Sequence, residues 1–212
     1  MRRAPLTVGK ATIGPREKLV TYVARDLEPY RGVHPMMRAL PHLLAARADL
    51  RVVMVGGDGV SYGAPPAKGT WRETLLAELN GAVDPDRVVF PGRVDYATYL
   101  KLLQRSDAHV YLTYPFVASW SLREALATGC AVIGSDTPPV REFVTDGRNG
   151  RLVSFFDPKG VADAVLEVIE DRALSRKLRT GARAYAERNL DLRATLAGYE
   201  ALICQLTGAS EV

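Results

Sequence analysis

Two kinds of apolar run take turns along the chain. Residues 18–25 (K-L-V-T-Y-V-A-R) are β-branched and aromatic between flanking charges, which predicts a buried strand. Pro35 suits the first turn of a helix, where its missing N–H is not needed, and Met36, Met37, Leu40, Leu43 and Leu44 then recur at helical spacing as far as Ala48. A second strand, 50–55 (L-R-V-V-M-V), stops at Gly56-Gly57-Asp58-Gly59, and the Gly- and Pro-rich stretch 61–69 reads as a surface loop. The rhythm continues with a helix at 71–79, a strand at 87–90, a helix capped by Asp95 through Gln104, and a strand at 108–112. It then runs through a helix at 120–128, a strand at 130–133, a helix near 140–144 and a strand around Leu152.

Alternation at this pitch predicts an α/β fold: a Rossmann-like, doubly wound parallel sheet covered by helices on both faces. From Asp157, an N-cap, and Pro158, at the first helical position, the pattern is helical, with further periodic stretches at 172–188 and 192–206. The 212 residues fit one domain. We place it at 18–207, with 1–17 as a linker or truncated N-terminal segment and 208–212 as a tail. The last stretch carries Leu192, Leu196, Tyr199, Leu202, Ile203 and Leu206 as an apolar stripe, for packing within the chain or docking on a partner or further lobe.

Composition narrows the function. Apolar residues make up 47% and charged residues 25%, the balance of a globular protein, and no run approaches the roughly 20 apolar residues of a membrane span. The opening residues are basic but lack the apolar core of a signal peptide. The formal charge of +4 comes without a basic run interleaved with aromatics, so a small anionic ligand is expected rather than nucleic acid. Cys130 and Cys204 have no C-x-x-C partner, and His34, His42 and His109 are scattered without carboxylates at ligand spacing. Neither a disulfide framework nor a metal site is indicated, and the expected compartment is the cytoplasm.

An open doubly wound sheet binds ligands outside the carboxyl ends of its strands, so the loops there hold the candidate residues. After the first strand, Arg25 and Arg31 flank a turn, either to grip a diphosphate or to be solvated or paired with Asp26 and Glu28. The helix beginning near Ser119, Trp120 and Ser121 directs its first N–H groups and positive dipole end at the same edge, a ready anion site. Glu124 reaches a ligand there or, as the last member of Ser121-x-x-Glu124, closes a capping box. The Pro138-Pro139 step reads as a rigid turn or a ligand loop. His42 and His109 read as structural, whereas His34 lies close enough to Arg31 to stay a candidate. A dinucleotide-dependent dehydrogenase would need G-x-G-x-x-G opening a helix, and Gly57-Asp58-Gly59 runs instead into a Pro-rich loop.

In order, R-x-x-x-x-x-R-G, V-x-M-V-G-G-D-G, V-x-F-P-G-R-V, Y-L-T-Y-P and S-W-S-L-R-E-A-L-A-T-G-C-A-V-I-G-S-D resemble the C-terminal, donor-binding half of retaining GT-B glycosyltransferases of group 1 (family 4-like). The likeness runs from Lys18 to Leu206. It implies that Arg25 and Arg31 act catalytically on the donor diphosphate, and that Gly92, Arg93 and Val94 hold the base. It also implies that Ser119, Trp120 and Ser121 hold phosphates and that Glu124 holds the ribose. The implied donor substrate is a nucleoside-diphosphate sugar, with no cofactor or metal, for glycosyl transfer to an acceptor hydroxyl. The implied partner is a separate N-terminal acceptor-binding lobe, and without it the enzyme is incomplete. The alternative is a non-catalytic nucleotide-sugar-binding module or subunit. Two positions depart from the family. A glutamate near the donor sugar, eight positions before Glu124, is Phe116 here, and a glycine pair is Pro138-Pro139.

Overall fold

Six of the predicted strands pair side by side in a computed structural model that describes residues 4–208. They are β3 (Lys18–Asp26), β4 (Leu50–Gly57), β5 (Val88–Gly92), β6 (Ala108–Tyr111), β7 (Val132–Ser135) and β8 (Arg151–Val153). All pair in parallel, in the order β5-β4-β3-β6-β7-β8. From β3 the chain builds outward to β5, then returns to place β6 on the other side, so the winding reverses between β3 and β6. The loops leaving these two strands diverge, opening a crevice at their carboxyl ends.

The unbroken buried run Leu19–Tyr22 of β3 explains its central place, since it is covered on both faces. Val20 and Tyr22 face one side, packed with Met36 and Leu40 of α1 (Val33–Ala46) and Val161 and Val165 of α6 (Pro158–Glu170). Leu19 faces the other, packed with Val53 and with Leu102 of α3 (Tyr96–Arg105). That second layer continues through α4 (Trp120–Ala127) and α7 (Arg172–Asn189), where Leu122, Leu126 and Ala182 meet Val132. α2 (Trp71–Glu78) rests against α1 and starts with a capping box formed by Thr70 and Glu73. Pro41 lies inside α1, and α1 continues through it.

Three expectations need correction. Within 1–17, expected as a linker, β1 (Leu6–Val8) and β2 (Ala11–Ile13) form an antiparallel hairpin. Val8 and Ile13, each 1% exposed, join the layer of Leu19 and Leu102. The helix expected near 140–144 begins earlier, as α5 (Pro138–Arg141), with both prolines in its first turn. The N–H groups they lack are ones that a helix start leaves without intrahelical partners, so the pair opens a helix at little cost. The capping box at Ser121-x-x-Glu124 does not form: α4 begins at Trp120, its N-cap is Ser119, and Glu124 points elsewhere. The last helix, α8 (Leu192–Thr207), is present but has no buried residue, and its apolar stripe is exposed. Of the expected tail, only Gly208 lies within the described residues.

Candidate functional site

At the reversal point the carboxyl-end loops enclose a cleft of about 550 Å³, lined among others by Arg25, Arg31, Arg93, Val94, Ser119, Trp120, Ser121 and Glu124. Of the nine residues singled out from the sequence, only Gly92 is not part of the lining. It ends β5 with a φ of 73°, turning the chain so that Arg93 and Val94 enter the cleft.

The two arginines of the first loop are not paired with its acids. Asp26 is 4% exposed and accepts hydrogen bonds from Arg93 Nη2 (2.8 Å) and Ser61 Oγ (2.5 Å). Burial pushes its carboxyl up, but the bonds from Ser61 and Arg93 and the charges of Arg93 and Arg25 outweigh burial and hold it below the usual carboxylate range. Gly57 makes the arrangement possible, because a Cβ there would lie 2.5 Å from Asp26 Oδ1 and 3.0 Å from Arg93 Nε. Glu28, fully buried, takes the backbone N–H groups of Ser61, Tyr62 and Gly63 on one oxygen at 3.0–3.1 Å. The acids therefore tie the Gly- and Pro-rich loop to the sheet edge. Arg25 is left exposed in the cleft, with no ion pair among the described residues.

Arg31 is held more tightly. It is 8% exposed, its Nη1 donates to Thr113 Oγ1 (3.2 Å) and the carbonyl of Val117 (3.3 Å), and its carbonyl accepts from Tyr22 Oη (2.5 Å). Its guanidinium lies 4.9 Å from the ring of Tyr62 and 5.9 Å from that of Phe116, and these rings are 5.1 Å apart. The Phe116 position thus covers a cation with an aromatic face, where a carboxylate would have made an ion pair.

On the far side, Ser119 N donates to Tyr111 Oη (2.8 Å) and the hydroxyls of Ser119 and Ser121 meet at 2.7 Å. No side chain caps the N-terminus of α4, so the N–H groups of Trp120 and Ser121 open to the cleft. Glu124 lies one turn into the helix and accepts from Tyr99 Oη (2.9 Å) and Tyr96 Oη (3.1 Å), both from α3. Burial and the neighbouring Glu124 carboxylate push the Tyr99 hydroxyl well above the ordinary tyrosine range, so it stays a donor. Tyr62, Tyr96 and Tyr99 escape a local reading, since each reaches the cleft through a partner 25 or more positions away. His34 packs on Phe155, ring centroids 5.5 Å apart, and takes no part in the lining. His109 is buried within the sheet, its Nδ1 2.9 Å from Thr21 Oγ1.

The model of the family described as glycosyl transferases group 1 matches residues 8–185. The chain belongs to this family. Phosphatidyl-myo-inositol mannosyltransferase of Mycolicibacterium smegmatis is 34% identical over 166 residues, covering 76% of this chain and 38% of that protein. Among solved structures, Alr3699/HepE of Anabaena in complex with UDP superposes with a TM-score of 0.73 at 19% identity, covering 90% of this chain and 50% of that one. The C-terminal domain of the group 1 glycosyl transferase LpcC from Francisella tularensis gives a TM-score of 0.70 at 20% identity, covering 83% and 88%. These two likenesses are of fold: the Rossmann-like sheet of GT-B glycosyltransferases. The chain spans less than half the length of the curated relatives it matches first.

Within this group 1 glycosyltransferase fold, the described residues include no helix long and apolar enough to cross a membrane. Nor do they include a cluster of three or more His, Cys, Asp or Glu side chains suited to a metal ion.

Proposed function

We propose that this chain is the donor-binding, C-terminal half of a group 1 glycosyltransferase and takes a nucleoside-diphosphate sugar into the cleft between β3 and β6. The observation that carries the proposal is the convergence of an unpaired Arg25, the uncapped first turn of α4 and the anchored carboxylate of Glu124 on one cavity. The solved relative in complex with UDP and another structure of the same protein with UDP-glucose support a nucleotide-sugar ligand. The likeness to an isolated C-terminal domain, and the share of the relatives' length that the chain spans, support a separate acceptor lobe as partner.

In this reading Gly92, Arg93 and Val94 border the base and Glu124 accepts from the ribose hydroxyls, its orientation fixed by Tyr96 and Tyr99. The N–H groups of Trp120 and Ser121 and the Arg25 fork face the diphosphate. As the bond between the sugar's anomeric carbon and the phosphate oxygen breaks, negative charge grows on the leaving diphosphate, where these groups stabilise it. The acceptor oxygen bonds to the anomeric carbon and its proton passes to the leaving phosphate. Arg31, its guanidinium face covered by Tyr62 and Phe116, positions the loop and offers only its remaining N–H edge. With the acceptor half supplied, Arg25→Ala lowers kcat by about 10²–10³ without loss of folding, the scale for removing one donor to developing charge. Unchanged turnover in that variant contradicts the role.

A second reading, a binding module without turnover, is favoured by Phe116. A half-exposed ring stands there on Tyr62, and it accepts no hydrogen bond from a sugar hydroxyl as a carboxylate would. Nucleotide-sugar binding with no transfer in the presence of the acceptor half identifies that case.

A further inference from the structure

A second concavity, of about 850 Å³, opens at the opposite edge of the sheet, where the strands begin. Lys18 is the first residue of β3 and Asp107 immediately precedes β6. Above them lies one face of α7, with Arg172, Arg176 and Arg179 at helical spacing, and Arg16 closes the rim from the chain segment entering β3. Five cations thus converge on one cavity against a single carboxylate, Asp107.

That carboxylate is already engaged. It accepts from the backbone N–H of Leu19 (2.9 Å) and lies 3.1 Å from Arg105 and 3.6 Å from Lys18. Arg179 is anchored through Nη1 to the carbonyl of Ser106 at 2.8 Å, which holds its fork at the cavity wall. Arg16, Arg172 and Arg176 form no ion pair among the described residues. On the same helix, by contrast, Arg183 is paired with Glu187, and on α1 Arg38 is paired with Glu78. The chain's formal excess of +4 is matched by the excess around this one cavity. An anion among these like charges would offset their mutual repulsion.

We propose that this cavity binds clustered phosphate groups, distinct from the nucleotide-sugar cleft and independent of it. Guanidinium forks pair with phosphate oxygens bidentately, and the volume exceeds what a single phosphate occupies. Either a soluble polyphosphorylated molecule or the headgroups of an anionic lipid surface supplies this chemistry.

The test titrates the protein with inorganic tripolyphosphate by calorimetry and, separately, co-sediments it with vesicles of phosphatidylglycerol in phosphatidylcholine. The variants are Arg172→Ala/Arg176→Ala, a charge control at Arg193→Ala on α8, and Arg25→Ala in the other cleft. The expected result is that the double variant weakens binding at least about tenfold, the loss of one charge-assisted contact or more, while its unfolding temperature and the affinity of the Arg193→Ala control stay unchanged; Arg25→Ala removes only what binds in the nucleotide-sugar cleft. Loss on tripolyphosphate alone identifies a soluble ligand, and loss on vesicles identifies headgroups. The proposal is overturned if neither probe binds, if Arg193→Ala weakens binding equally, or if Arg25→Ala alone abolishes it.

Discussion

Asp26→Ala is the sharpest structural perturbation of the cleft, because one buried carboxylate joins three segments. It ends β3, holds Ser61 of the Gly- and Pro-rich loop, and orients Arg93 at the end of β5. The 2.5 Å bond from Ser61 is charge-assisted and part-buried, a class that contributes about 1.5–3 kcal/mol. The Arg93 pair contributes less, about 0–1 kcal/mol, since Arg93 is 66% exposed and water competes for it. Together the loss is about 1.5–4 kcal/mol, which for a chain of this size lowers Tm by about 3–16 °C. Asp26→Asn keeps the shape and one acceptor oxygen but not the charge, and falls between. Both are read by thermal unfolding followed by circular dichroism near neutral pH. The native carboxyl titrates below its unfolded value of about 3.9, so its contribution is complete above that value and fades as pH falls through the lower folded one. The Asp26→Asn variant loses that part of the acid dependence. A fall in Tm below about 2 °C for Asp26→Ala refutes the view that this carboxylate organises the loops.

His109, which burial lowers to about 4, stays neutral in the fold while the unfolded chain takes up a proton near 6.5. Its contribution is full above about 6.5 and is lost as pH falls towards 4, at up to about 1.4 kcal/mol per pH unit; His109→Gln flattens that slope in urea titrations across the window, and an unchanged slope contradicts the assignment. Gly32, at φ 73°, admits no side chain, because a Cβ there would stand 2.4 Å from Leu112 Cβ. Gly32→Ala therefore destabilises by about 2 kcal/mol or more in chemical denaturation, and a neutral result contradicts the packing of the Arg31 turn.

Periodicity made the parallel sheet legible, because β3, β4, β6 and β7 carry their burial pattern in their own residues and the loops after parallel strands must share one edge. Eight of the nine candidate site residues line the cleft for the same reason. The hairpin at 6–13 was hidden by its two strands of three residues, below the length at which alternation registers, although Leu6 and Val8 alternating into Gly9-Lys10 was a usable signal. Glu124 illustrates the other limit. The spacing from Ser121 is right for a cap, but helix α4 starts two residues earlier than that cap requires, and the Glu124 carboxylate is claimed by two tyrosines more than twenty positions away. Arg93 likewise depends on Asp26, 67 positions earlier, a pairing that only the parallel adjacency of β3, β4 and β5 creates.

Donor binding in the cleft is tested most directly by thermal unfolding of the protein with a panel of nucleoside diphosphates and their sugars. A ligand at 100 times its Kd adds about 2.7 kcal/mol of stability, a rise of about 5–11 °C for a chain of this size. We expect that rise for the diphosphates of one base, and its loss in both Glu124→Ala and Arg25→Ala. No rise with any of them in the presence of the acceptor half, or a rise that survives both substitutions, contradicts the assignment of the cleft.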